Sequence, residues 1–117
     1  MLDCERTSRL TVPAFRVAVA RKLVNEYGLS QSRAAAIVGV RQASVSKYLS
    51  SSHSDAIGVT ADYISSKSLD EKLVRMALSG TAKPVISAAL EKAATDPYLL
   101  RHLLSTKAMQ LVKKSKF

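Results

Sequence analysis

Apolar residues recur along this chain at three- and four-residue spacing and strict alternation is scarce, so the pattern predicts helices rather than strands. Val12, Phe15, Val19 and Leu23 form the first stripe, with Arg16, Arg21 and Lys22 at other angles as an expected solvated face. Thr11 is suited to cap this helix, Pro13 is tolerated in a first turn, and Gly28 offers a left-handed stop after Tyr27. These signals predict a helix over residues 13–27.

Ser30 caps the next segment, in which Ala34, Ala35, Ile37 and Val38 precede Gly39, and a further short helix is expected over residues 41–49. Residues 50–54 are four serines and His53, with no apolar side chain, and read as a surface connection between two units, 1–54 and 55–117. A helix over 55–66 is expected to be weak, because Gly58, Val59 and Thr60 lower its propensity. Ser68 and Glu71 have capping-box spacing before the stripe of Leu69, Leu73, Met76 and Ala77, which ends at Gly80. Pro84 opens a helix containing Ile86, Ala89, Leu90 and Ala93, and Asp96 with Pro97 opens a last amphipathic one bearing Leu100, Leu103, Leu104, Ala108 and Leu111. The fold class predicted is all-α. The apolar stripes after Ser68 call for a partner surface, and a homodimer through the C-terminal helices is the expected answer.

The strongest pattern lies in residues 29–50, LSQSRAAAIVGVRQASVSKYLS, where two helices joined by a tight turn are expected at a steep crossing angle. Ala35 is small where the second helix must press against the first, and Gly39 accepts a positive φ without a Cβ clash. Val40 and Val45 are expected to point inward, joined by Tyr48 or Leu49 one turn on. That leaves Ala43, Ser46 and Lys47 on the exposed face of the third helix, led by Gln42.

Charge sharpens this reading. The chain has 117 residues, with 18 Lys and Arg against 9 Asp and Glu and a net charge of +9. A positive surface attracts nucleic acid or anionic membrane before specific contact forms. Between Tyr27 and Ser54 the sequence holds Arg33, Arg41 and Lys47 but no acid, so an anion there meets no local repulsion. Arg41 can reach guanine or phosphate, and Ser44, Ser46 and Lys47 can bond to bases or backbone oxygens. The amino end of the second helix, at Ser30 and Gln31, offers N–H groups to phosphate. Gln42 is the first choice for base readout, since an amide that donates and accepts at once matches the major-groove edge of adenine.

The same stretch resembles the helix-turn-helix of the lambda-repressor-like or Xre class. Together with the preceding helix it closely resembles predicted archaeal regulators of that class, over about half of the chain. In lambda-type repressors a glutamine opens the second helix and another lies near the start of the recognition helix, and Gln31 and Gln42 match those places. The resemblance implies a lambda-repressor-like helix-turn-helix bundle with additional C-terminal helices, double-stranded DNA as partner, and a role for Gln31 in binding a phosphate and bracing Gln42. Some archaeal relatives carry a thiamine-phosphate synthase-like domain after the motif; the tail here is expected to be too short for one and shows no parallel-strand pattern.

Other chemistry finds little footing. There is no Gly-x-Ser-x-Gly elbow and no glycine-rich loop before a lysine, so no enzymatic activity is expected. His53 and His102 are far apart without a cysteine cluster, and Cys4 is the single cysteine, so neither a metal nor another cofactor is expected. No apolar run suits a membrane span, and a reducing, cytoplasmic setting fits best. The basic end at Lys113, Lys114 and Lys116 reads first as a solubilising tail. The expected function is a sequence-specific transcriptional regulator that reads the major groove from Arg41 onward, with no small-molecule effector assigned. The alternatives are an antitoxin-like or adaptor module whose DNA binding is secondary, and an architectural protein that coats DNA without sequence choice.

Overall fold

The computed structural model describes residues 2–50 and 56–95, with side chains over 10–50 and 57–95. Among the described residues there are six helices and no strand: α1 (Leu2–Asn25), α2 (Gln31–Val38), α3 (Gln42–Ser50), α4 (Ala56–Ser66), α5 (Glu71–Leu78) and α6 (Lys83–Ala94). The described residues are all-α, as the periodicity predicts. The boundary between the two units and the last helix expected from Asp96 lie outside the described residues, as do the basic end and the side chains of Cys4, His53 and His102.

Helix α1 organises the rest. It packs against each of the other five helices. Leu10, Ala14, Phe15, Val17, Ala18, Val19, Ala20 and Leu23 are all buried, a set too broad for the single stripe read from the sequence. A proline inside a helix removes one backbone hydrogen bond and crowds the preceding turn, at a cost of about 3 kcal/mol. Here Pro13 lies inside α1 and the helix runs through it, because buried positions on both sides hold the segment in place. The predicted start at residue 13 is therefore corrected to Leu2, and Thr11 caps a different helix. Its side chain is fully buried, and Oγ1 donates to the carbonyl of Ala94, the last residue of α6, at 2.7 Å. A helix-terminal carbonyl with no intrahelical donor is thereby satisfied from α1.

Helix α4 packs chiefly on α1. Its buried positions are Gly58, Thr60, Ala61 and Ile64, and the small residues among them let the two backbones approach closely. Burial overrides the weak helix propensity of this segment. Leu73 and Val74 of α5, with Ile86, Leu90 and Ala94 of α6, are buried as well. All but Ile86 belong to one core cluster with α1, α2, α3 and α4 residues. The described stripes after Ser68 thus find part of their partner surface within the same chain, while the stripe from Leu100 onward lies outside the described residues. Leu69, Leu78 and Val85 remain exposed.

The junction between α4 and α5 departs from the expected capping box. Ser68 has φ 56°, in the left-handed region. Its N–H bonds to the carbonyl of Ser65 and the N–H of Leu69 to that of Ile64, the paired bonds of a Schellman ending. Ser68 therefore closes α4 instead of opening α5. The residue at the N-cap of α5 is Asp70, whose side chain makes no capping bond. Its fully buried carboxylate instead accepts from Lys22 Nζ at 3.0 Å and from Ser65 Oγ at 3.2 Å. Burial lowers the pKa of the Lys22 ammonium. The hydrogen bond and charge of Asp70, with the charges of Glu26 and Glu71, outweigh that effect, and the net displacement is upward from 10.5. Lys22, expected on a solvated face, is instead held at the rim of the core.

Two outcomes follow for stability. Left-handed φ costs a non-glycine residue about 1–2 kcal/mol, partly offset by the extra unfolded-chain entropy of glycine. Ser68→Gly is expected to raise the urea unfolding free energy by about 0.5–1 kcal/mol. Lys22→Met leaves a buried carboxylate without its cation and is expected to cost on the order of 3 kcal/mol, much of it regained in Lys22→Met/Asp70→Asn. Because the Lys22 pKa is raised on folding, its contribution is complete below pH 10.5 and fades as the pH climbs through the folded-state value. Urea titrations across that range should show the gap between wild type and Lys22→Met closing.

Candidate nucleic-acid interface

The geometry of α2 and α3 is set by three local devices. Ser30 sits in extended backbone at the start of α2, and its Oγ accepts the N–H of Arg33 at 3.1 Å, the expected N-cap. At the other end Gly39 takes φ 77°, and the N–H groups of Gly39 and Val40 both bond to the carbonyl of Ala35, at 2.9 and 3.0 Å. The left-handed turn stops α2 after one short run, and only glycine adopts it without strain. The carbonyl of Arg41 then accepts from the N–H groups of Ser44 and Val45, starting α3.

Packing decides which face of α3 is left over. Ala34, Ala35 and Val38 bury the inner side of α2, and Val45 is fully buried at the centre of α3. Val40, Tyr48 and Leu49 are half-buried against the same core. The Tyr48 phenol is pushed above 10.0 by burial, against the opposing pull of the Arg16 charge. Arg41, Gln42, Ala43, Ser46 and Lys47 are all exposed, and Ser44 is half-buried. The inward and outward sets therefore lie where the sequence places them. Arg33 is exposed on α2, and half-buried Gln31 stands beside Gln42, whose Nε2 donates to Gln31 Oε1 at a long 3.5 Å. The two amides juxtaposed by the resemblance are adjacent in space.

One residue of this region has a position that sequence reasoning missed. Arg21, on α1, donates from Nε to the carbonyl of Tyr48 at 3.0 Å and pairs through its terminal nitrogen with Asp62 of α4 at 3.3 Å. Its side chain is only 14% exposed. No spacing in the sequence announces this contact, because one acceptor is a backbone carbonyl and the other lies on a separate helix. Ser50 Oγ donates to the carbonyl of Ser46 at 3.0 Å, so the last turn of α3 is held by two side chains.

Between α5 and α6 lies a cavity of about 490 Å³ whose lining includes Leu69, Leu73, Ala89 and Ala93, with Lys72 and Lys92. It shares no lining residue with α2 or α3. Among the described residues no three His, Cys, Asp or Glu side chains gather where they could hold a metal ion, and no helix is long and apolar enough to cross a membrane. Compared with family models, with curated proteins and with solved structures, the chain finds no match in any of the three.

Proposed function

We propose that this chain is a sequence-specific DNA-binding transcriptional regulator that inserts the exposed face of α3 into the major groove. One observation carries the reading: Gln42, Ala43, Ser46 and Lys47 are all exposed on α3, with exposed Arg41 immediately before it, while Val45 anchors the opposite side of the helix in the core. A helix backed by a packed core and presenting polar and basic side chains is what groove entry requires. The absence of acids between Tyr27 and Ser54 leaves the basic groups there without local competition for phosphate.

The division of labour follows from chemistry. Arg33, with Ser30, Gln31 and Ser44, contacts the DNA backbone, Ser46 and Lys47 face the base edges, and each cation that neutralises a phosphate releases a counterion and adds affinity without sequence information. Gln42 offers its amide to adenine N7 and N6, Arg41 its guanidinium to guanine, and the Ala43 methyl an apolar contact to thymine. A single motif reads only a few base pairs. The functional unit is proposed to be a homodimer spanning half-sites about 34 Å apart, with exposed Leu69, Leu78 and Val85 of the C-terminal part available for the contact. No catalytic role is proposed.

Selection from a pool of random duplexes tests this directly: recovery of one recurrent sequence is expected, and a pool that stays random overturns the reading. Gln42→Ala should weaken binding to the selected duplex by about 1–3 kcal/mol and relax preference at one base pair. Arg33→Ala should weaken all duplexes similarly and reduce the slope of log K against log salt by about 1, whereas Lys47→Ala should alter base preference where its ammonium meets a base edge. Titrations at several salt concentrations separate the two effects.

A further inference from the structure

The last turn of a helix leaves carbonyls without intrahelical donors, and at the end of α3 one of these, on Tyr48, is taken by the Arg21 guanidinium. The same guanidinium holds Asp62, so one planar group spans α1, α3 and α4. The contact lies on the opposite end of α3 from Arg41 and Gln42. It is sheltered from solvent on the arginine side, while Asp62 is 57% exposed. Val45, with half-buried Tyr48 and Leu49, packs α3 against the core, and the Arg21 fork adds a polar restraint near its far end.

We infer that Arg21 is a positioning residue for sequence discrimination: by clamping the Tyr48 carbonyl to α1 and α4, it sets the angle at which α3 presents Gln42 and its neighbours. The inference rests on the proposed reading of α3 as the recognition helix and assigns to that site a determinant that itself touches no base. Base readout requires amide and base edge to meet within a narrow distance and angle, whereas phosphate contacts by flexible cations tolerate a loose helix. Loss of the clamp therefore reduces the ratio of specific to non-specific affinity more than it reduces non-specific affinity. The ratio distinguishes this from charge. Removing one phosphate-contacting cation by itself weakens binding to all sequences about equally and leaves the ratio unchanged.

The experiment uses the full chain, the selected duplex and a scrambled duplex of equal length. Arg21→Met keeps the apolar stem and removes the fork; the affinity ratio is expected to fall about tenfold as α3 loosens. In the free protein the carbonyl carbon resonance of Tyr48 should shift and the amides of residues 46–50 should lose exchange protection, with those of α2 unchanged. Arg21→Lys keeps the charge without the planar fork and should lower the ratio by about threefold; it carries the test if Arg21→Met does not fold. A folded variant with an unchanged ratio overturns the inference while leaving the DNA reading intact. A wild-type protein that treats both duplexes alike overturns the reading and the inference with it.

Discussion

A helix enclosed by neighbours on nearly every side can carry few unpaired polar groups, and α1 obeys that constraint between Leu10 and Leu23. Its buried run of alanines and valines with Leu10, Phe15 and Leu23 forms the axis of the core, and all five other described helices pack on it. Small residues at Ala14, Ala18 and Ala20 allow that crowding, since each added methylene on a helix surface pushes a neighbour outward. The same enclosure explains how the helix passes through Pro13. Contacts on both sides of the ring offset the missing hydrogen bond.

Three polar side chains of α1 reach groups elsewhere in the bundle. Thr11 satisfies the end of α6, Arg21 the end of α3, and Lys22 the buried carboxylate before α5. Two of the three acceptors are backbone carbonyls at helix ends, the groups that an all-α protein must satisfy by side chain or solvent. Among the described residues no buried side-chain nitrogen or oxygen is left without a partner. The core and its polar ties therefore act together, and α2 and α3 are packed against the same core that α1 runs through.

Much of α2 and α3 was legible in the residues themselves. Ser30 caps, Gly39 turns, Val45 is buried and Gln42 is exposed because these outcomes depend on neighbours within about one helical turn, where spacing alone determines geometry. Helices α5 and α6 were legible for the same reason, with a left-handed Gly80 after one and Pro84 in the first turn of the other. The sequence by itself also determined the acid-free basic stretch from Tyr27 to Ser54.

Tertiary structure decided the rest. Thr11 resembles an N-cap by type and position, yet its acceptor is Ala94, 83 residues away. Arg21 and Lys22 have the look of solvated side chains, but their partners lie 27 to 48 residues further on. Ser68 and Glu71 have capping-box spacing, but the chain needed a left-handed residue at 68 to end α4 and used the Asp70 carboxylate for Lys22. Local sequence sets which groups can bond and which way a side chain points from its own helix; which distant helix end or buried charge receives that bond depends on how the helices come together around α1.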